Sequence, residues 1–246
     1  MEFLTNFFYL FLYQPLFNLL ILLYQYLPGK DFGIAIICLT LLIKIALYPL
    51  GIKAIKIQRE LQILQPKIKE IQEKYKDDKQ KQTAEMLEIY KKEKINPFAG
   101  LFVSLLQVPI LIALWSVFWG GIQPEKLSAL YNFFPHPQSI DPMFLGFLNL
   151  GQPSIALAIL AGISQFLQTK TMTPSPAKNL AGKSQQKPTS DFSKIMEKQM
   201  LYFFPIFTIF ILWKLPAAIA LYWLVTAVFS TVQQYFFLKK PLLKNS

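Results

Sequence analysis

A single lysine lies inside a long apolar stretch of this chain. Lys44 is the only charged residue between Asp31 and Lys53, and the apolar segment around it is long enough to cross a lipid bilayer. A charged side chain near the middle of a membrane span costs roughly 2.5–3.5 kcal/mol on insertion scales. Lys44 must therefore face protein, water or a polar partner, and its chemistry would be electrostatic attraction of an anionic group.

Other polar residues form stripes along the apolar stretches. Thr40, Lys44 and Tyr48 recur four apart and share a helix face. Similar stripes are formed by Ser104 with Gln107, by Gln165 with Gln168, and by Trp223, Thr226, Ser230, Gln233 and Gln234. Each stripe alone could serve hydrogen bonding between helices, and Lys44 could snorkel to the interface. Ile52, at the end of the apolar stretch, however, lies about 12 Å of helix rise beyond Lys44. This distance is beyond the reach of one lysine side chain, which argues against snorkelling. Since the apolar stretches also contain no Asp or Glu, we predict a shared hydrated cavity.

The residue types needed for nucleophilic or metal-dependent catalysis are scarce. The chain has one Cys, Cys38, and one His, His136. These are too few for a disulfide framework, a Cys- or His-rich metal site or a familiar Ser–His–Asp triad. The sequence also lacks a Walker A loop, a GxGxxG fingerprint and an HExxH motif. We therefore expect no catalytic residues, no metal and no cofactor, and a protein that is not an enzyme.

The composition indicates a multi-pass membrane protein. Hydrophobic residues make up 53% of the 246 residues and charged residues 16%, and the mean hydropathy is +0.36. Five stretches are predicted to be transmembrane helices, at 32–52, 99–119, 152–169, 199–214 and 216–238. The third and fourth are short for a bilayer that needs roughly 20 residues of helix.

Basic residues are distributed unevenly among the connecting segments. Residues 53–98 carry twelve Lys/Arg and eight Asp/Glu, residues 170–198 carry six Lys, and the tail after Leu238 carries three. Of the 25 basic residues, 21 thus fall on one side, which the positive-inside rule assigns to the cytoplasm. The net charge of +11 is therefore explained by membrane topology and not by a nucleic-acid site. The N-terminus is expected outside and the C-terminus in the cytoplasm.

The N-terminal segment 1–29 has two interpretations. Residues 3–27 are apolar enough for a sixth span, and they lack the basic start and the cleavage site of a signal peptide. Gln14, Asn18 and Gln25 fall on one side of a helix. That stripe favours a helix lying in the outer interface and ended by Pro28-Gly29.

The outer loop 120–151 is expected to hold short interfacial helices, with His136 exposed or structural.

Three further segments have a polar character. Residues 58–95 predict an antiparallel helical hairpin in the cytoplasm. Its first arm has an apolar seam and its second arm a matching inner face, formed respectively by Leu61, Leu64, Ile68, Ile71 and Tyr75 and by Thr83, Met86, Leu87 and Tyr90. The hairpin is either a solvated spacer or a mobile partner-binding device, and its two matched arms favour the second. Residues 170–198 predict a flexible loop, and residues 239–246 a basic cytoplasmic tail.

Several blocks of the sequence resemble the YidC family of membrane protein insertases. They are YQPLFNLL, LTLLIKIALYPL, LQPKIKEIQEKYKDDKQKQTAEMLEIYKKEKINPFAG, LLQVPI and PAAIALYWLVTAVFSTVQQ. The resemblance runs from about residue 14 to residue 238. The resemblance implies an all-α polytopic membrane protein. Its core, residues 30–238, would have five transmembrane helices around a hydrophilic groove, a cytoplasmic helical hairpin and an N-terminal interfacial helix. The large extracytoplasmic domain of some bacterial members is absent.

The resemblance also assigns residues to the groove. Lys44 stands where the family usually has Arg, a departure that replaces a bidentate fork by a point charge. Gln168 matches the glutamine of the F-[LI]-Q-x-K pattern, and Trp223 the aromatic of the LYW/LYY motif. The expected groove set, which together faces one cavity wet from the cytoplasmic side, is Thr40, Lys44, Gln107, Gln168, Trp223, Thr226 and Ser230.

The implied function is insertion of membrane proteins without covalent chemistry. The polar segment of a client would cross the hydrated, positively charged groove, and its apolar helix would then pass into lipid. Expected partners are nascent membrane proteins and lipid, with the ribosome and the secretion channel as further candidates. Two alternatives stay open: a secondary transporter that uses Lys44 as a substrate or ion site, and a structural partner of the secretion channel.

Overall fold

A computed structural model describes residues 2–96, 98–118, 129–134, 137, 139–172 and 199–239 of the chain. The helices are α1 (Glu2–Phe8), α2 (Gln14–Tyr26), α3 (Phe32–Ala46), α4 (Tyr48–Lys74), α5 (Lys79–Lys92), α6 (Phe98–Phe118), α7 (Ile155–Met172), α8 (Phe204–Leu212) and α9 (Ala217–Lys239), and the strands are β1 (Met143–Phe144) and β2 (Leu148–Asn149). Single π-helical turns, Tyr9–Tyr13 and Gln199–Phe203, precede α2 and α8. His136, most of the loop 170–198 and the tail from residue 240 lie outside the described residues.

The described helices support an all-α membrane protein. Two of them are long and apolar enough to cross a bilayer, Thr5–Tyr26 and Ala217–Phe237. The pair Phe32–Ala46 and Tyr48–Lys74 would add a third span if it is counted as one bent helix, and Val108–Phe118 and Leu201–Leu212 are shorter apolar helices. The arrangement of five spans around a groove remains a prediction.

A sharp bend separates α3 from α4 and changes the expected boundaries of the first span. α3 ends at Ala46, whereas the sequence predicts a span to residue 52, and the chain turns by 65° into α4. The reason is Pro49, which occupies the first turn of α4. A proline ring clashes with the carbonyl group four residues earlier and has no N–H to donate, so α3 cannot continue through it. The first hairpin arm consequently begins at Tyr48 and not at residue 58.

Three helices form the centre of the molecule. α9 packs along both α3 and α7, and α8 packs against α7. The contacts use small side chains, since Ala158, Ala161, Ala217 and Ala220 are completely buried. At Gly162 a Cβ would lie 2.3 Å from Cγ1 of Ile209, so α7 and α8 approach too closely for any side chain there. Small residues of this kind let helix backbones pack tightly where lipid leaves no hydrophobic driving force.

The three central helices, α3, α7 and α9, run in the same direction. The backbone of Pro153, before α7, pairs with Pro216, before α9, and Ala217 N donates to Gln152 O at 2.9 Å. Phe32, at the start of α3, lines a cavity of about 230 Å³ together with Ala218. α3, α7 and α9 therefore begin at one end of the molecule, which is called here the loop end. They run toward the opposite end, where α4 and α5 form the helical hairpin and which is called here the hairpin end.

The described part of the loop 120–151 contains a β-hairpin where short helices are expected from the sequence. Met143 pairs with Asn149 and Phe144 with Leu148 in antiparallel register. The turn between them has Leu145 at φ 52° and Gly146 at φ 75°. Two consecutive positive φ angles define a tight hairpin turn and exclude a right-handed helix at these residues.

Asp31 joins this β-hairpin to the start of α3. Its Oδ1 accepts a hydrogen bond from Ile34 N at 2.9 Å, which caps the helix. Its Oδ2 accepts one from Leu145 N at 2.5 Å, across 114 residues of sequence. One carboxylate thus satisfies a free helix N–H and a turn N–H at the same time.

α2 lies against the loop that follows α6. The Asn18 amide donates from Nδ2 to Ala129 O at 3.0 Å and accepts at Oδ1 from Tyr131 N at 2.8 Å. One and a half turns later, Tyr24 OH accepts from Asp141 N at 3.1 Å. Contacts from both halves of α2 to residues 129–141 indicate that the helix runs along this loop.

The arms α4 and α5 pack against each other as a hairpin. Leu64, Ile68 and Ile71 are buried along α4. Near the open end of the hairpin, Lys67 Nζ lies 2.7 Å from Glu93 Oε1, and near the turn Tyr75 OH donates to Glu85 Oε1 at 3.3 Å. Polar contacts therefore join the two arms near both ends of the hairpin at neutral pH.

Replacing Asp31 by Ala should destabilise the fold. The change removes a helix cap and a charge-assisted hydrogen bond to Leu145, so we expect a loss of about 1–3 kcal/mol in unfolding free energy. Thermal unfolding of the detergent-solubilised protein, followed by circular dichroism, measures this loss. Asp77→Ala, at an exposed aspartate of the hairpin turn, is the matched control. Equal midpoints for the two variants would contradict the role of Asp31.

The closure of the hairpin should depend on pH. The hydrogen bond and the positive charge of Lys67 hold the pKa of Glu93 below its ordinary value. A carboxylate with a lowered pKa in the folded state contributes stability at neutral pH and loses it as the pH falls through that pKa. Nitroxides at Gln65 and Lys92, in a Cys38→Ser background, should therefore show wider separations in acid. Glu93→Gln should show the wide separation at neutral pH as well. If the separation in the parent protein does not change with pH, the Lys67–Glu93 contact does not control the closure of the hairpin.

Candidate functional site

Lys44 lies in the last turn of α3, immediately before the bend, and its side chain is partly exposed. Among the described residues the ion pairs are Lys56 with Glu60 and Lys67 with Glu93, and neither involves Lys44. An ammonium group inside a membrane span without a carboxylate partner needs water or a polar ligand. Lys44 is therefore available to attract an anionic group.

A glutamine of α9 holds the bend that follows Lys44. Gln233 is 8% exposed, and its Nε2 donates to the carbonyl oxygen of Tyr48 at 3.2 Å. The same amide lies against Gly51, where a Cβ would be 2.9 Å from Nε2. A side chain at residue 51 would displace Gln233, so the small residue and the amide together fix α4 on α9.

The parallel course of α3 and α9 sets the height of Lys44. The two helices share a cavity at the loop end through Phe32 and Ala218 and meet again at Gln233. Lys44 and Ser230 each lie twelve residues after these starting points, which is roughly 18 Å of helix rise. Lys44 is therefore level with Ser230, near the hairpin end of the polar stripe.

Trp223 bonds to a glutamine of α7. Its Nε1 donates to Oε1 of Gln165 at 2.8 Å, and the indole is partly exposed. Gln168, the glutamine expected in the groove from the family pattern, is also partly exposed one turn further along α7. Gln165 was not in the expected set, although its spacing of three from Gln168 places it on the same stripe.

At the hairpin end, α7 and α9 are linked by a second polar contact. The Thr171 hydroxyl lies 2.7 Å from the carbonyl oxygen of Gln168 and 2.5 Å from Oε1 of Gln234. Gln234 is 2% exposed, and its Nε2 has no hydrogen-bond partner among the described residues. The polar stripe of α9 is therefore used partly for helix packing, the role that side-chain amides usually have in membranes.

The remaining expected residues differ in their surroundings. Thr226 Oγ1 is buried and has no hydrogen-bond partner in the part of the chain that the structure describes, while Ser230 is partly exposed. Thr40 is 1% exposed and donates to the carbonyl oxygen of Ile36 at 2.7 Å. In this structure Thr40 consequently belongs to the packed interior and not to an accessible lining. Gln107 lies on α6, but its side chain is outside the described residues.

The structure thus brings together a positive charge and a ladder of hydrogen-bonding groups. Ser230, Thr226 and Trp223 follow one another along α9 from the hairpin end toward the loop end, and Lys44 on α3 lies level with Ser230. Such a row offers attraction to carboxylates and hydrogen bonds to a peptide backbone. Within the described ranges no group of three His, Cys, Asp or Glu residues could hold a metal ion.

The sequence matches a family of known membrane proteins. The model of the family described as 60Kd inner membrane protein matches residues 22–244. The membrane protein insertase YidC of Fusobacterium nucleatum subsp. nucleatum is 37% identical over 210 residues, which cover 85% of this chain and 87% of that relative. The insertases YidC of Psychromonas ingrahamii and Francisella philomiragia are 38% and 35% identical over 91% and 83% of the chain. The aligned part makes up only 34% and 32% of these two longer relatives.

The bond between Trp223 and Gln165 should be measurable as a coupling energy. Trp223→Phe and Gln165→Leu each remove it, so a double-mutant cycle should give about 0.6–1.5 kcal/mol. Thermal unfolding in detergent supplies the four stabilities. The matched control pairs Trp223→Phe with Gln168→Leu, on the same face of α7, and should give a coupling near zero. Equal couplings in the two cycles would argue against the specific bond.

Proposed function

The chain belongs to the 60Kd inner membrane protein family, whose relatives are named membrane protein insertase YidC, and from this membership we propose how its polar stripe serves insertion. It is a cell-membrane protein with insertase function. The proposal concerns the route of the client: its polar segment enters between α3 and α9 at the hairpin end, is attracted by Lys44 and follows the α9 stripe.

The observation that carries this proposal is the position of Lys44. It has no carboxylate partner within the described residues and lies level with Ser230, at the hairpin end of the stripe. Moving a polar segment through hydrocarbon leaves its backbone and charged groups unsatisfied, at several kcal/mol for each group. A row of donors beside a fixed positive charge lowers that barrier, because each client group finds a partner along the way.

Thr226 supports a wet or client-filled path. A buried hydroxyl without a partner costs about 1–3 kcal/mol, and a water molecule or a client carbonyl would satisfy it. Trp223 lies one turn further toward the loop end and presents an indole ring beside the N–H that bonds Gln165. We propose that Gln107 and Gln168 contribute to this path and that Thr40 stays in the packing behind it.

The apolar helix of the client leaves past exposed hydrophobic side chains. Phe203, at the end of the π-helical turn before α8, and Phe207 and Phe210 on α8 are 51%, 45% and 55% exposed, whereas Thr208 is buried. This face offers apolar contact without hydrogen-bonding groups, so it cannot retain a polar segment. Release into lipid is then driven by the burial of apolar surface.

The helical hairpin serves as a movable body at the entrance. Its arms are joined by Lys67–Glu93 and Tyr75–Glu85, and it connects to the core through the bend after α3 and through Asn96. We propose that it captures client segments or contacts the ribosome and the secretion channel. The charge distribution supports a cytoplasmic position for this end, with the N-terminus outside. The contacts of α2 along loop 129–141 favour an interfacial position for that helix.

Charge reversal at Lys44 tests the route. Purified variants are reconstituted in vesicles with a single-span client whose translocated segment is acidic, and insertion is measured by protease protection. Lys44→Arg should retain activity, because the positive charge stays. Lys44→Glu should reduce the rate about tenfold, which corresponds to roughly 1.4 kcal/mol of lost attraction.

A client whose acidic residues are replaced by Asn and Gln is the matched control for Lys44. Its insertion should respond little to Lys44→Glu, since its polar segment carries no charge to repel. Equal insertion of the acidic client by Lys44→Ala, Lys44→Glu and the parent would exclude a role for the charge.

A further inference from the structure

The β-hairpin at the loop end exposes two large apolar side chains at its turn. Leu145 is 58% exposed and Phe147 is 74% exposed, and we call these two residues the apolar tip. Nothing in the route described for the client uses them. Exposed apolar residues that lie close together mark an interaction surface more often than scattered ones do.

The turn carries a residue that is unfavourable for its backbone conformation. Leu145 has φ 52° and Gly146 has φ 75°, and Phe147 N donates to Phe144 O at 3.3 Å. Turns with two positive φ angles prefer Asn, Asp or Gly at the first position. A leucine there strains the backbone, because its Cβ lies too close to the following carbonyl oxygen. The chain keeps an apolar side chain at the tip despite this strain, which points to a compensating interaction outside the hairpin.

The backbone of the turn and both strands of the hairpin are held firmly to the core, so the side chains of the tip are kept outward. Leu145 N donates to Asp31, and the Phe144 ring covers Gly33, where any side chain would collide with it. Leu150, just after the second strand, is completely buried, and its N–H donates to Pro142 O at 2.9 Å. With these contacts fixed, the tip cannot fold back to bury its own side chains.

The position of the hairpin puts the tip at the height of a membrane surface. Leu145 N, in the turn of the hairpin, bonds to Asp31 at the start of α3, and Leu150 O accepts from Ala218 N at the start of α9. Helices that cross a bilayer begin at its interface. The first turns of α7, which starts beside α9, also expose apolar side chains, since Ile155 and Ile159 are 51% and 42% exposed.

From this geometry we infer that the apolar tip inserts into the interfacial region of the lipid leaflet at the loop end. The occupant is lipid, because the hairpin is fastened to the start of α9, a helix long and apolar enough to cross a bilayer, and exposed Leu and Phe side chains bind a membrane interface by burying apolar area. Burial of Leu145 and Phe147 in lipid compensates the strain of the turn. The tip would thereby anchor the loop that Asp31 fastens to α3.

Nitroxide accessibility tests this inference directly. In a Cys38→Ser background, Phe147→Cys is spin-labelled in vesicles of phosphatidylcholine and phosphatidylglycerol. The label should collide often with oxygen and rarely with a water-soluble nickel chelate. Gln152→Cys, exposed on the polar segment after the same hairpin, is the matched control and should show the reverse. Equal nickel accessibility at the two sites would overturn the proposal, and so would protection of Phe147→Cys that appears only when a client protein is added.

A second variant separates membrane anchoring from a purely structural role. Leu145→Asn suits the turn better than leucine does, so the unfolding midpoint in detergent should stay the same or rise. In vesicles the label at residue 147 should become more accessible to nickel, because half of the apolar tip is lost. A lower midpoint together with unchanged accessibility would mean that Leu145 serves the fold and not the membrane.

Discussion

The packing of α9 between α3 and α7 is the contact on which the other features depend. It uses completely buried alanines on α7 and α9, which allow the helix backbones to approach closely. Close packing matters here because hydrocarbon provides no hydrophobic force between helices. The same contact aligns the starts of the three helices at the loop end and thereby fixes the height of each polar residue along them.

The bend after α3 follows from a local and a tertiary cause acting together. Pro49 prevents α3 from continuing, but a proline alone does not fix the direction of the next helix. The direction is held by Gln233, which bonds the Tyr48 carbonyl and lies flat against Gly51. Lys44 is placed one turn before this junction, so its position beside the α9 stripe depends on a residue that lies 189 positions later in the chain.

Polar groups within the apolar helices fall into two kinds, and their partners separate them. Gln165, Gln233 and Thr171 make specific contacts between helices, which contribute to packing. Lys44 has no ion-pair partner among the residues that the structure describes, and Thr226 Oγ1 has no hydrogen-bond partner. In a medium without water such groups are costly, and this cost is the physical reason to assign them to a path for polar client segments.

The sequence by itself determined the family, the helical membrane class and the types of residue available to the site, because these depend on composition, on charge distribution and on motifs read along the chain. It also placed Trp223, Thr226 and Ser230 on one face of one helix, since the helical period is a local property. It did not determine which helices those faces meet. Only the tertiary structure decided that Trp223 bonds to Gln165, that Thr40 is packed inside and that Gln233 holds the bend, because each of these depends on how separate helices align. The sequence could not predict the β-hairpin at the loop end either. Leu145 adopts a positive φ that leucine disfavours, and Asp31, 114 residues earlier, helps to hold this conformation.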